Sequence, residues 1–454
     1  MIQQAQIPSP PTIEDRRSAC PGLFRMARAL DGSICRVKLT FGDLSAEQAR
    51  QVAEAAKRFG NGVIEITNRA NLQIRGVQPE AEASLIRALL DAGLGPLTDK
   101  GDDVRNVMIS PVAGLDTNTV DIRPLALRLL QILQTNASYQ TLSPKFSVLI
   151  DGGESVAMVD HPHDIWVSPI NPAGTTPQFA FGVAGVPPTK HGDQTTLGSV
   201  GGEHVFDLIT KILDLFIDWS RDHPAASRLR HMIAETGTAC LAEKLESHPG
   251  FGLAKAMSDW YRAPPRPNAH LGVLPVRDGL TCLVGAIPPL GRLDPGLLWA
   301  LADLAGKRGN GTLRMTPWQS VILAGVATSE AESVLADLES LGLRFDVRQP
   351  LATMISCSGS AGCGSALAAT QADGLRLAAL LGAGTAIPQI HMSGCRKSCA
   401  SPSAQPVTLV ATAPGHYDIF LRATNGPSRF GKLLAANVTI EEAADLIGEN
   451  FGAI

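Results

Sequence analysis

The stretch "DGSICRVKLTFGDLSAEQARQVAEAAKRFGNGVIEITNRANLQIRGV" (31–77) decides the fold, because it recurs as "DGLTCLVGAIPPLGRLDPGLLWALADLAGKRGNGTLRMTPWQSVILAGV" (278–326). The copies start on the same "DG" at an offset of 247, and a two-residue insertion beside the proline pair makes the offset 249 at "GNG". Each reads as strand, helix, turn, strand. Apolar residues at helical spacing mark the helix, Ala46, Val52 and Ala56 in one copy and Leu298, Leu301 and Leu304 in the other. After Gly62 or Gly311 comes strand sequence, with Val63, Ile64, Ile66, Leu72 and Ile74 as its apolar content in the first copy. A unit this small cannot cover its own sheet. Two copies paired about a pseudo-two-fold axis are therefore expected, with a groove along the join. The alternative is two independent ferredoxin-like domains whose likeness carries no functional meaning.

Around the repeats the chain divides into a flexible segment (1–19), the first half-domain (20–81), an α/β region (82–265), the second half-domain (266–340) and a second α/β region (341–454). The first α/β region holds the short strand "FSVLI" and amphipathic helices at 204–221 and about 224–247, and ends in the proline-rich "APPRPNAHLG". The second ends in a capped helix, "TIEEAADLIGENF". The expected class is α+β, duplicated ferredoxin-like half-domains joined to two α/β metal- and substrate-binding domains. With 44% hydrophobic and 18% charged residues, a folded globular chain is expected. A net charge of −4 argues against general nucleic-acid affinity. The start is polar and proline-rich, not a secretory leader, and no apolar run is long enough for a membrane span. The expected compartment is the reducing cytoplasm, where grouped cysteines mean metal rather than disulfides.

Four of the eight cysteines form one group, Cys357-x5-Cys363, then a gap of 31 residues, then Cys395-x3-Cys399. Soft thiolates grouped like this suit zinc or an iron–sulfur cluster. Zinc ribbons favour shorter knuckles, which the five-residue spacer fits poorly. Glycine and serine around the first pair let the backbone approach inorganic sulfide. "SG" before the second pair reads as a helix start, which would put Cys395 and Cys399 on one helical face. Cys20, Cys35, Cys240 and Cys282 are read as structural, with Cys35 and Cys282 at equivalent places in the repeats.

The remaining signal is cationic. In "ITNRANLQIRG", strand alternation would place Arg69, Asn71, Gln73 and Arg75 on one face. Their equivalents in the second copy are Trp318, Ser320, Ile322 and Ala324, so the stripe belongs to one copy only. Arg105 in "DVRNV" and Lys145 in "SPKFS" sit where strands meet loops, and Arg314 is a further candidate. Guanidinium forks and ammonium groups of this kind grip carboxylates and other oxyanions, and a solvated strand face is the plainer reading.

Together, the duplicated half-domain, the "TNR…Q…RG" strand, "RNV", "PKF" and the cysteine spacing resemble the nitrite/sulfite reductase family. The resemblance implies that Cys357, Cys363, Cys395 and Cys399 hold a [4Fe–4S] cluster, with Cys399 where the family bridges to sirohaem. It also implies that Arg69, Arg105 and Lys145 line an anion-reducing face. One position departs from the reductases, which carry a second lysine where Lys145-Phe146-Ser147 has serine. The opening "RRSACPGLFRMARALDGSICRVKL" is more similar to the family's aerobic cobalamin-pathway branch. That likeness implies an O2-dependent hydroxylation of precorrin-3A with γ-lactone formation. It also implies a mononuclear non-haem iron beside the cluster, and an NADH-linked or ferredoxin-like electron donor. Arg69, Asn71, Arg75, Arg105, Lys145 and Arg314 would then bind substrate carboxylates. His161, His163 and His391 are iron-ligand candidates by residue type alone. A sirohaem-dependent reductase and a non-catalytic Fe–S electron-transfer protein are the alternatives.

Overall fold

A computed structural model describes residues 20–452 apart from 173, 175, 194, 249, 251, 256–258, 385–386 and 424–428; the segment expected to be flexible (1–19) lies outside the described residues. The first repeat forms β1 (Ala27–Ala29), β2 (Gly32–Val37), β3 (Asp43–Ser45), α1 (Ala46–Phe59), β4 (Ile64–Ile66), β5 (Leu72–Val77) and α2 (Glu82–Asp91). Ser45 caps α1 in a reciprocal box with Gln48, which satisfies the first free N–H groups. The first α/β region follows with β6 (Val107–Met108), α3 (Arg123–Thr135), β7 (Val148–Ile150), β8 (His163–Pro169), β9 (Gln178–Gly185), β10 (Gly198–Gly201), α4 (Val205–Ser220), α5 (Leu229–Glu246) and β11 (Ala254–Lys255). Gly237, with φ of 78°, kinks α5. The second repeat supplies β12 (Gly272–Pro275), β13 (Thr281–Ala286), β14 (Arg292–Leu293), α6 (Pro295–Arg308), β15 (Thr312–Met315), β16 (Val321–Ala327) and α7 (Ala331–Ser340). The chain closes with β17 (Met354–Ser356), α8 (Thr370–Leu381), β18 (Ile390–Ser393), β19 (Val407–Ala413), β20 (His416–Leu421), β21 (Lys432–Thr439) and α9 (Ile440–Phe451).

The repeats pair by exchanging strands. One sheet runs β1-β2-β5-β4-β14 and the other β12-β13-β16-β15-β3, so each copy's short strand before its helix completes the other copy's sheet. The exchange is pinned by the same ion pair built twice with the signs reversed. Arg292 meets Glu65 at 2.9 Å where β14 adds to β4, and Arg314 meets Asp43 at 3.0 Å where β3 adds to β15. Helices α1 and α6 lie side by side, joined by Arg50 and Asp303 at 2.8 Å. The buried alanines of α1 (Ala49, Ala53, Ala56) meet the buried Leu298, Leu301 and Ala302 of α6 in one shared core. Cys35 and Cys282 both sit in that core. Neither copy has a closed core alone, which is why they pair rather than stand as independent domains.

Both remaining sheets mix parallel and antiparallel strands, in the orders β11-β10-β9-β8-β7-β6 and β17-β18-β19-β20-β21. Their parallel strands, β6–β7–β8 and β17–β18–β19, bring loops to one end of each sheet. Among the described residues no helix is long and apolar enough to cross a membrane.

Candidate cluster and anion site

The four grouped cysteines lie in loops after β17 and β18, and all are free of disulfides. Cys399 is pushed up by burial first and then by the negative charges of Cys395, Cys357 and Cys363, so the four thiols share one neighbourhood. The Gly394 N–H donates to Cys357 Sγ at 3.2 Å. A Cβ on Gly394 would lie 2.6 Å from Ala366 and 3.4 Å from that sulfur, so the backbone has closed in on the thiol as far as glycine permits. Four grouped thiols, one of them accepting a glycine N–H, fit an iron–sulfur cluster. Residues 394–400 are not the expected helix. Ser398 takes φ of 56° and bonds to the Ser401 carbonyl, turning the chain after the strand, and Cys395 and Cys399 converge through that turn.

The cationic stripe is also not a strand face. Strand β5 begins at Leu72, and Arg69 sits in a turn closed by Ala70 N–H to the Thr67 carbonyl, with Ala70 at φ of 55°. The same turn recurs at Thr316–Ser320, with Gln319 at φ of 61°. Arg75 is 2% exposed, and all five of its N–H donors are engaged, by Asp31 twice, Glu65, the Ser358 hydroxyl and the Gly362 carbonyl. It fastens the Cys357–Cys363 loop to the first half-domain and has no donor left for a substrate. Arg314 pairs with Asp43 and donates to the Pro111 carbonyl, and it lines neither the Arg69 cavity nor the cleft beside the cysteines. Lys145 stands at the tip of a turn closed by Phe146 N–H to the Ser143 carbonyl, and lines a separate cleft of about 350 Å³ with Phe216 and Arg221.

What the structure does gather is smaller. Arg69, Asn71, Arg105, Ser147 and His163 line one cavity of about 30 Å³. The Arg69 guanidinium has no partner among the described residues, and burial, then Arg228 and Arg36, push it down to about 10. Arg105 bonds to Asp102 and the Gly95 carbonyl while its buried Nε has no partner among the described residues. Asn68, one residue before Arg69, donates to the Cys399 carbonyl at 3.1 Å, so this turn joins the cavity to the cysteine loops. On its other side a cleft of about 120 Å³ runs along Cys357 and Cys399, lined by Arg36, Gln73, Gln319 and Gln371. Arg36, absent from the sequence expectations, donates twice to Gln73 across the ladder and is pushed down by burial. Its alternation against buried Cys35 and Val37 was the available signal.

The three candidate histidines and His270 are buried. His161 and His270 are held down at about 4 and about 3, first by burial, and His163 well below its ordinary range. His391 lies on β18 with neither ring nitrogen partnered among the described residues, also held at about 4 by burial. Among the described residues no group of three or more His, Cys, Asp or Glu side chains, these histidines included, lies close enough together to hold a single metal ion.

The ferredoxin-like half-domain model of nitrite/sulfite reductases matches residues 28–92 and again 274–341, and the nitrite and sulphite reductase 4Fe-4S domain model matches 100–253. The ferredoxin–nitrite reductase of Synechococcus elongatus is 31% identical over 96% of this chain and 88% of its own. The chain belongs to the nitrite/sulfite reductase family. Within this family, precorrin-3B synthase of Sinorhizobium is 28% identical, over 96% of this chain and 93% of that one, and the maize chloroplastic ferredoxin–nitrite reductase is 28% identical over 95% and 81%. The fold matches that of the Mycobacterium tuberculosis NirA protein, with a TM-score of 0.73 over 91% of this chain and 79% of that one at 22% identity. As a family member the chain is an oxidoreductase with the family's 4Fe–4S domain. The four cysteines lie beyond the stretch that this domain model matches.

Proposed function

We propose that this chain is a precorrin-3B synthase, hydroxylating precorrin-3A with O2 and closing a γ-lactone ahead of ring contraction, with a [4Fe–4S] cluster on Cys357, Cys363, Cys395 and Cys399. One observation carries the choice within the family. Where the reductases carry a second lysine, Ser147 lies buried against the neutral ring of His163, at 3.2 Å from Nδ1. Reducing a small inorganic anion calls for cations packed around it and a proton supply. Here one cation is replaced by a hydroxyl, and Lys145 has turned away to another cleft. The near-full mutual coverage with the Sinorhizobium synthase supports the same reading.

The residues would work as follows. Arg69 and Arg105 neutralise acid side chains of the tetrapyrrole, with charge-assisted bonds stronger than neutral ones. Arg36 and the amides of Gln73, Gln319 and Gln371 present donors and acceptors along the cleft beside Cys357 and Cys399. A bound cluster supplies single electrons at that wall. In the overall reaction one oxygen atom enters the substrate and the other leaves as water, taking two electrons from the donor and two protons. No ligand set for the mononuclear iron is assigned. A ferredoxin-like donor is supported by the names of the relatives.

A second reading, ferredoxin-dependent nitrite reductase, is favoured by the 31% identity to the cyanobacterial enzyme. Purified protein given precorrin-3A, a ferredoxin-linked reductant and 18O2 separates the two. Oxygen uptake with 18O in the lactone product, and no sirohaem in an acid–acetone extract, are expected. Reduction of nitrite to ammonium without oxygen uptake overturns the proposal. Cys395→Ser is expected to lose iron and sulfide together; full iron content with unchanged turnover refutes the ligand assignment.

A further inference from the structure

The cavity beside the Arg69 turn is lined by several hydrogen-bond donors and by no carboxylate. At roughly 10–15 Å³ per water-sized group, its volume of about 30 Å³ takes two oxygen atoms. Three of its lining residues keep a donor with no partner among the described residues; two are Arg69, through its guanidinium, and Arg105, through its buried Nε. The third is His163, 2% exposed, whose Nε2 has no partner among the described residues.

Which nitrogen carries the proton follows from the bonding pattern. The Ser147 N–H donates to Asp164 Oδ2 at 2.9 Å, and Asp164 is held in turn by Arg228 Nε and the Leu229 N–H. Ser147 is therefore fixed with its hydroxyl 3.2 Å from His163 Nδ1. The buried hydroxyl has no other acceptor among the described residues, so its proton goes to Nδ1, which leaves the imidazole proton on Nε2. Burial, together with Arg69, His161 and Arg228 around the ring, keeps it neutral. A neutral ring in this tautomer is a fixed single donor.

We infer that the Nε2–H of His163 is the third donor, beside Arg69 and Arg105, of a subsite for one planar oxyanion, a carboxylate side chain of the substrate, and that Ser147 sets its tautomer. The donor set rests on geometry; that the carboxylate is a tetrapyrrole's rests on the reading above. A small inorganic anion such as nitrite has the same chemistry, so both are tested.

The experiment measures the Kd of precorrin-3A and of nitrite by calorimetry, with kcat beside it, on the cluster-loaded full chain. His163→Leu is expected to weaken precorrin-3A binding roughly tenfold or more, the loss of one hydrogen bond to a charged group. His163→Gln restores binding to within about threefold, because its carboxamide N–H stands near the lost donor. A merely structural role would not discriminate between these variants. Unchanged binding in His163→Leu, or His163→Gln no better than His163→Leu, overturns the inference. Should His163→Leu fail to fold, Ser147→Ala carries the test, with a Kd raised about two- to fivefold for loss of the tautomer-setting bond in support and an unchanged Kd against. Weakening confined to nitrite moves the subsite to the small anion. Failure of wild type to turn over precorrin-3A ends the synthase reading without touching these Kd comparisons.

Discussion

All five N–H donors of Arg75 are taken, two by Asp31 and the rest by Glu65, Ser358 and Gly362. Removing that side chain leaves two carboxylates close together with no cation of their own half-domain between them. Arg75→Ala is therefore expected to cost about 3–5 kcal/mol of stability, as when one partner of a buried pair is deleted. It should also loosen the Ser358–Gly362 loop, so that iron is lost on gel filtration. Arg75→Lys keeps the charge but not the fork and should fall between. Thermal melting and iron content together check this; an Arg75→Ala protein with wild-type Tm and a weakened substrate Kd would return Arg75 to the substrate. From the sequence, Arg69 and Arg75 are alike, two arginines six apart in one polar stretch. Their roles diverge because acceptors from elsewhere in the chain reach one guanidinium and not the other.

At the scale of elements, the strand exchange is the feature on which the groove depends. Gly42, at φ of 86°, passes so close to β15 that a Cβ would sit 2.3 Å from the Met315 carbonyl oxygen, while a Cβ on Gly311, at φ of 80°, meets nothing within 4 Å. Both glycines need the left-handed region, which costs an L-residue roughly 1–2 kcal/mol. Only Gly42 adds a backbone collision. Gly311→Ala is expected to lower stability by about that conformational cost alone, and Gly42→Ala by clearly more, read as two urea midpoints on the same chain. Equal losses would mean that the crossing is looser than described. The duplicated half-domain and its pseudo-two-fold pairing were legible, because a repeat that cannot bury its sheet must find a partner. The exchange of β3 and β14 was not, since each is only two or three residues long and carries too little pattern to be assigned to a sheet.

For the molecule as a whole, the buried histidines set the response to acid. His161, His270 and His391 have folded values of about 4, 3 and 4, and His163 lies well below normal, all below the unfolded value near 6.5. Between these limits the unfolded chain binds protons that the folded chain refuses, so their contribution is complete above about pH 6.5 and is lost as pH falls toward 4. Glu154 acts oppositely. Burial and then Asp151 raise it to about 8, so its contribution declines from near pH 4.5 upward. Four groups outweigh one on the acid side. Above neutrality Lys38, pushed by burial down to about 7, opposes Glu154, so Tm is expected to fall steeply from pH 6.5 to 5 and to change little between 7 and 8. A Tm constant from 7 to 5 would show the histidines to be open to solvent.

Family-level chemistry was readable without coordinates, because cysteine spacing and internal repetition are carried by order along the chain. Arg69 and Arg105 are expected from the sequence as cations where strands meet loops, and the fold places both along one cavity. Arg75, Arg314 and Lys145 were nominated on the same grounds and went to an ion-pair fastener, a strand-exchange lock and a separate cleft. Charge and residue type are local properties that a sequence determines alone. Which guanidinium is left unpaired depends on acceptors 40 to nearly 300 positions away, as with Asp31 and Gly362 for Arg75, and only folding brings those within 3 Å.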